Sequence, residues 1–324
     1  MTRIEEVRHI VHERIAGRAR FYDKVAVMKG SVAKKAAPSV ITGGIDDSDS
    51  GLKGAVSSSS KSIEKKTNDY GDFYTVTLDG NELKSPRRHE LYFPTMELAC
   101  GVAVEWERQG GDKMVVEDES VDDDNTNYNP KTIEPSTMPL MTLCSTAVDQ
   151  IGVTPETEET FGGRAKVEEN VMKYLFNDTT CYFADDTEDD RLLLAKQKDS
   201  FNNLHAFAEK ELNGKVDVVH GFDLRKIKHG EELVQNACLF VAGLSGWELA
   251  ALQSVTMEAK SFLVGLGVIK GFLSGEEAIK LSRIEEEFQL ETWGLVEGGQ
   301  DIDRLNCGVQ IYASCVYLDM LRAK

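Results

Sequence analysis

The chain has 324 residues, of which 41% are hydrophobic, enough for a substantial core. Its mean hydropathy is −0.32, and no apolar run reaches the length of a membrane span, so we expect no membrane insertion. The formal net charge is −18. Because such a surface repels phosphate backbones and anionic lipids, we predict no nucleic-acid partner. A basic protein surface is the partner that this charge would suit.

The N-terminal segment, residues 1–19, has a different charge from the rest. The first 40 residues hold nine Lys or Arg against four Asp or Glu. Apolar residues recur at helical spacing in residues 4–15, as in a mitochondrial presequence, but Glu5 and Glu6 are unusual in such peptides. A presequence remnant and a plain amphipathic helix both fit this segment.

Residues 20–116 predict a small antiparallel β-rich domain. Strand patterns occupy residues 20–27, 73–78, 82–84 and 91–93. Asp79 and Gly80 separate the second and third of these, and Asp-Gly is a strong signal for a tight hairpin. Residues 43–69 are rich in Gly, Ser, Asp and Lys, and we interpret them as a disordered insertion.

A helix is predicted after the last of these strands. Thr95 is placed to be its N-cap, and Leu98, Val102 and Trp106 are spaced to share one buried face. We therefore predict that Trp106 is a structural core residue.

An acidic linker, residues 117–135, then leads to an α-helical domain at 136–324. Its helices are predicted at 140–152, 167–176, 190–212, 231–243, 246–273, 275–293 and 301–322. The expected fold class is α+β, with a small antiparallel β-rich N-terminal domain followed by a larger, mostly α-helical domain.

Motifs for catalysis or cofactor binding are missing from the sequence. There is no phosphate-binding loop, no nucleophile elbow, no Cys-x-x-Cys pair and no His with a nearby Cys or Asp at metal-ligand spacing. We therefore predict no cofactor, no metal and no small-molecule substrate. The six cysteines lie mostly in apolar stretches, which favours buried free thiols in a reducing compartment.

The stretch 285–301 concentrates charge on a helix. Three glutamates, Glu285 to Glu287, begin it, and Gly294 offers a place to end. Residues three and four apart share a face, so Glu286, Gln289 and Trp293 can line up. A solvated acidic surface and a partner-binding surface explain this pattern about equally well.

Several short motifs, in this order, resemble one known family. They begin with Arg20-Phe21-Tyr22, Leu78-Asp79-Gly80 and Leu83-Lys84-Ser85-Pro86, and continue with Glu105 to Gln109, Ala147-Val148-Asp149, Asn177 to Tyr182 and Glu286 to Glu297. The sequence is similar here to the family of ATP synthase mitochondrial F(1) complex assembly factor 2. The resemblance runs from about Arg20 to Asp301.

The resemblance implies a chaperone of the mitochondrial matrix, not an enzyme. Its partner would be the unassembled alpha subunit of the ATP synthase catalytic sector, which it would keep from aggregating. A functionally sensitive glutamate of the family falls in the Glu286-Glu287 pair, and Gln300 stands where the family usually has His. The residues assigned to client binding are Glu286, Glu287, Gln289, Trp293, Glu297 and Asp301.

Two other functions remain as alternatives. One is a generic acidic protein-interaction module of another pathway. The other is a hydrolase that uses paired carboxylates, although the sequence shows no nucleophile, metal set or oxyanion loop to accompany them.

Overall fold

The computed structural model of the chain describes residues 18–30, 73–110, 132–152, 163–188, 190–221, 227–294 and 300–323. The predicted insertion at 43–69, nearly all of the segment 1–19 and most of the linker 117–135 lie outside these residues. Among the described helices, none combines the length and the apolar composition needed to cross a bilayer.

Five strands and ten α-helices are described, and their bounds are as follows. The strands are β1 (Val25–Gly30), β2 (Phe73–Leu78), β3 (Asn81–Glu82), β4 (Tyr182–Phe183) and β5 (Val219–His220). The helices are α1 (Met96–Glu107), α2 (Pro139–Thr146), α3 (Gly163–Leu175), α4 (Arg191–Glu211), α5 (Glu231–Gly243), α6 (Gly246–Ala259), α7 (Phe262–Ile269), α8 (Gly275–Ser282), α9 (Ile284–Trp293) and α10 (Gln300–Arg322). The predicted α+β fold class is confirmed.

The N-terminal sheet is antiparallel, in the order β1-β2-β3. Asp79 and Gly80 both have positive φ, of 50° and 81°, as the tight hairpin between β2 and β3 requires. The Asp79 carboxylate also accepts hydrogen bonds from the backbone N–H groups of Asp23 and Lys24, at 3.1 and 2.8 Å. This one residue therefore shapes the turn and holds the start of β1.

Helix α1 packs its apolar face on this sheet. Thr95 caps it, and its hydroxyl accepts from the Leu98 N–H at 3.3 Å. Trp106 is 3% exposed. The edge of the Tyr22 ring meets its indole at a centroid distance of 5.7 Å, and the Tyr22 hydroxyl donates to the Trp106 carbonyl. The chain before β1 is thus attached to the end of α1.

The centre of the helical part is the pair α6 and α7. All eight residues of α7 are buried, as are nine in α6. Helices α3, α8 and α10 pack around α6. One hydrophobic cluster runs from Tyr22 and Val76 at the sheet to Leu318 on α10, so the β-rich and helical parts share a core.

A half-buried carboxylate fixes the start of α2. Glu105, on α1, accepts the backbone N–H groups of Leu140 and Met141 at 2.7 and 2.8 Å. Such N–H groups have no partner within their own helix. Burial raises the pKa of Glu105 to about 7, although these two hydrogen bonds oppose the shift.

Two of the predicted helices are each divided in the structure. The predicted helix 246–273 breaks at Lys260, which has a φ of 52°, and α7 restarts from the Ser261 N-cap. The predicted helix 275–293 breaks at Arg283 (φ −122°, ψ 16°). Each break lies within a continuous apolar pattern. Periodicity alone therefore did not reveal where these helices end.

The prediction of strands was also partly wrong. The strand predicted at 20–27 lies at Val25–Gly30. The one predicted at 91–93 is replaced by two isolated bridges, Tyr74 with Phe93 and Lys84 with Glu90. This segment therefore pairs with its neighbours through single bridges and not as a regular strand.

All six cysteines are free, as predicted, but they are not all buried. Cys144, Cys181 and Cys307 are buried, whereas Cys238 is exposed. Its apolar neighbours suggested burial, but Leu239 beside it is itself 69% exposed.

Replacing Trp106 by Ala should lower the free energy of unfolding by about 3–5 kcal/mol, because it empties a large buried site. Chemical denaturation monitored by circular dichroism measures this. Trp106→Phe is the matched control: among the described residues the indole N–H has no hydrogen-bond partner, so Phe should cost clearly less. Equal losses for both variants would contradict a packing role.

Glu105 should make stability depend on pH. Its folded pKa of about 7 lies above the usual 4.5, so the folded state binds more protons between these values, and stability falls as pH rises from 4.5 to 7. The loss should be up to about 3 kcal/mol. Denaturation of wild type and Glu105→Gln across this range isolates it, since the variant should lack this slope. Parallel pH profiles would contradict it.

Candidate functional site

The acidic helix α9 is attached to the protein at its N-terminal end. Arg283, directly before it, has a side chain only 4% exposed. Its Nη1 donates to Asp303 Oδ2 on α10 at 2.8 Å. No residue of α9 is buried, so this helix lies on the surface and contributes side chains rather than core.

Glu287 belongs to this attachment. Its carboxylate lies 3.7 Å from the Nε of Arg283 and 3.3 Å from the Nε of Arg304 on α10. It therefore balances one buried and one exposed guanidinium. Breaking a buried ion pair leaves an uncompensated charge, which gives Glu287 a structural role.

A second set of contacts joins α9 to α4. Gln197 donates to Glu285 at 2.8 Å, and Lys196 pairs with Glu291 and lies 5.5 Å from the centre of the Phe288 ring. Desolvation raises the pKa of Glu285 and the charge of Glu286 adds to the shift, while the bond from Gln197 opposes it.

The remaining predicted residues of α9 form its outer face. Gln289 is exposed and Glu286 is half-buried. Within the described part of the chain, Glu286 makes no ion pair. Trp293 is 78% exposed, and Gly294 ends the helix at a φ of 85°. We call Glu286, Gln289 and Trp293 the outer face of α9.

The three glutamates at the start of α9 do not oppose the helix as their mutual repulsion suggests. They occupy its first turn, where the positive end of the helix dipole favours negative charge by about 0.3–1 kcal/mol for each residue. Position in the helix therefore offsets repulsion, an effect that the periodic pattern alone did not show.

The structure does not bring all six predicted binding residues together. Glu286, Gln289 and Trp293 share one face, while Glu287 turns to Arg283 and Arg304. Asp301 is half-buried at the start of α10, where its Oδ1 accepts the Ile302 N–H at 2.9 Å. Glu297 and the side chain of Gln300 lie outside the described residues.

One polar cluster elsewhere was not predicted. Ser85 donates to Asp149 at 2.6 Å, and the same carboxylate oxygen lies 2.8 Å from His89 Nδ1. The residue types are those of a hydrolytic triad, but the serine hydroxyl bonds to the aspartate and not to the histidine. Among the described residues, no histidine accepts the serine proton as in a catalytic triad, and the His89 backbone N–H donates to the Ser85 hydroxyl, so the cluster holds the turn after Ser85.

The described residues contain no candidate metal site. No set of three or more His, Cys, Asp or Glu side chains there could hold an ion. Neither of two surface clefts, of about 690 and 550 Å³, is lined by Glu286 or Glu287. Glu286 and Glu287 therefore lie on the surface of α9, outside both of these clefts.

The known proteins that this chain resembles carry the name of one family. The model of the ATP12 chaperone protein family matches residues 59–209. The mitochondrial protein atp12 of Schizosaccharomyces pombe is 27% identical over 249 residues, which cover 74% of this chain and 75% of that protein. The mitochondrial protein ATP12 of Saccharomyces cerevisiae is 22% identical over 270 residues, covering 74% and 77%. The family model and both relatives point to the ATP12 family, which is the family that the sequence motifs resemble.

Crystal structures show the same fold. Atp12 from Paracoccus denitrificans superimposes with a TM-score of 0.64 at 22% identity, over 94% of this chain and 98% of that one. A protein from Agrobacterium tumefaciens gives 0.64 and 22%, over 94% and 86%. The ATP12 family is the chaperone family that the motifs indicated.

The structure separates two adjacent glutamates that the sequence left equivalent. Arg283, four residues before Glu287, was visible in the sequence as an i, i+4 partner. Arg304 was not, because the contact depends on how α10 returns along α9. Of the two glutamates, Glu286 is therefore the one that makes no ion pair among the described residues.

Glu287→Gln should lower the free energy of unfolding by about 1–2 kcal/mol, since it removes a partner of buried Arg283. Glu286→Gln should change it by no more than about 0.5 kcal/mol, because lost dipole stabilisation and relieved repulsion nearly cancel. Thermal and urea denaturation of both variants test this. The reverse order of stabilities would contradict the assigned pairing.

Proposed function

We propose that this ATP12-family protein binds the unassembled alpha subunit of mitochondrial ATP synthase in the matrix and prevents its aggregation. The outer face of α9 is the proposed binding site, with Glu286 and Trp293 as its main contacts. No catalytic step is part of this function.

The observation that carries the proposal is the exposure of Trp293. At 78% exposed, it contributes almost nothing to the fold, although tryptophan is usually largely buried. Tryptophan is also enriched among the residues that dominate the energy of protein interfaces. An exposed tryptophan, two helical turns from a carboxylate that makes no ion pair among the described residues, suits a partner with an apolar pocket and a basic rim.

Charge supports the same type of partner. The net charge of −18 steers basic surfaces toward the protein and accelerates association. At the site, Glu286 would accept charge-assisted hydrogen bonds from Lys or Arg, each worth about 1.5–3 kcal/mol. The client surface that makes these hydrogen bonds would be covered by another subunit after assembly.

The two alternative roles, a hydrolase and a generic acidic module, have less support. A hydrolase with paired carboxylates needs both groups to face one substrate. Here Glu287 is held by two arginines, whereas Glu286 is half-buried and makes no ion pair among the described residues. A generic acidic module of another pathway would not explain the similarity of this chain to the ATP12 family.

Glu286→Gln should weaken capture of the alpha subunit by about tenfold or more, through loss of charge-assisted hydrogen bonds. The alpha subunit is unfolded in denaturant and diluted into buffer with wild type or variant. Light scattering then measures aggregation, and co-purification measures capture at low and moderate salt.

The matched control is Glu169→Gln on α3, which removes the same charge from surface ion pairs with Lys166 and Lys173. Such pairs contribute little to stability, and this variant should capture the alpha subunit normally. If wild type captures no alpha subunit, the proposed function is wrong. If both variants capture equally well, the function stands but the site is wrong.

A further inference from the structure

Helix α10 has two apolar faces on opposite sides. One lies in the core, where Ile311, Ser314 and Leu318 are at most 2% exposed. The other points outward, and its five large side chains are between 43% and 69% exposed. At about 100° per residue, the centres of the two faces lie roughly half a turn apart. We call the outward set the exposed stripe; it consists of Ile302, Leu305, Val309, Tyr312 and Val316.

Such a face is unusual for a surface helix. An amphipathic helix normally places one apolar face on the core and polar residues opposite it. Single exposed apolar residues are common, but a contiguous row marks an interaction surface. The exposed stripe therefore calls for a partner that covers it.

The spacing of the exposed stripe indicates the shape of that partner. Its steps are three, four, three and four residues, which are the a and d positions of a heptad repeat. Helices with this spacing pack against a second helix with knobs in holes. The row runs from Ile302 to Val316, a separation of fourteen residues, which is about 21 Å along the helix or two heptads. A helix of similar length would cover it.

The charges around the exposed stripe indicate the chemistry of the partner. Asp301 and Asp319 are eighteen residues apart, which is five helical turns, so they lie on the same side of α10. The contacts of Arg283 with Asp303 and of Arg304 with Glu287 join the N-terminal end of α10 to α9. The acidic helix thus continues the acidic border, which suits a helix flanked by Lys or Arg.

A second copy of this chain fits the surface less well. Each copy has a net charge of −18 and would bring the same acidic border. In an antiparallel pair, Asp301 of one copy would lie near Asp319 of the other. Like charges placed together across an interface suppress such pairing.

We propose that the exposed stripe is a second client-binding surface, which takes an amphipathic helix with Leu, Ile or Val on one face and Lys or Arg beside it. This inference rests on the proposed function and adds a surface distinct from the outer face of α9. An apolar helix face left uncovered before assembly is the part of a subunit that aggregates, and the stripe covers it.

The test replaces Leu305 by Gln and Val309 by Thr together. Both residues are exposed, at 69% and 49%, so the melting temperature should not change. The matched control is Leu192→Gln with Leu239→Gln, on α4 and α5, which are 72% and 69% exposed. It removes similar apolar surface from other helices.

Two ligands are measured by fluorescence anisotropy and by suppression of light scattering. One is the purified alpha subunit, diluted from denaturant. The other is a synthetic peptide of about three heptads with Leu or Ile at a and d and Lys at e and g, compared with a scrambled peptide. The stripe variant should bind both about tenfold more weakly or worse, while the control variant binds them as wild type does.

Failure of the inference and of the proposed function can be told apart. If the stripe variant captures the alpha subunit as wild type does, the inference is wrong and the proposed function stands. If wild type fails to capture it, the proposed function is wrong and the client is not the occupant of the stripe.

Two further results would assign the stripe to another occupant and overturn the inference. One is a wild-type dimer in sedimentation that the stripe variant dissociates. The other is peptide binding that appears only after removal of residues 1–17.

Discussion

The fold depends on a carboxylate buried at the start of its most apolar helix. Asp178 is 0% exposed and accepts from the backbone N–H of Leu263 at 2.9 Å and from the Thr180 N–H and hydroxyl at 3.0 and 2.8 Å. Burial raises its pKa, and these hydrogen bonds oppose the shift. An N–H at a buried helix start needs such an acceptor. Asp178 thereby joins the segment before β4 to α7 and allows a helix without a polar face to sit at the centre.

With the centre fixed in this way, binding surfaces are available only at the periphery. Helices α6 and α7 lie at the centre of the core, whereas α9 has no buried residue. Arg283 and its partners hold the beginning of α9, and contacts from α4 hold its side. The outer face can therefore be devoted to a partner with little effect on stability.

Much of this arrangement could be predicted from local sequence. The Asp79-Gly80 hairpin and the burial of the Trp106 face follow from backbone and periodic rules that act over a few residues. The break at Lys260 could not be seen, because apolar residues continue on both sides of it. The distinct roles of Glu286 and Glu287 also could not be seen, since they depend on a contact with another helix. The same holds for the outward face of α10, because periodicity does not say which of two apolar faces meets the core.

The three tryptophans of the chain differ in ways that give the protein its own optical reporter. Trp106 is buried at 3% exposed, Trp247 is half-buried, and Trp293 is 78% exposed. Indole emission shifts to longer wavelength in water, so the red edge of the intrinsic fluorescence belongs mainly to Trp293. Iodide in solution should quench that component first. A molecule that binds at the end of α9 would therefore change the intrinsic fluorescence emission of the unlabelled protein.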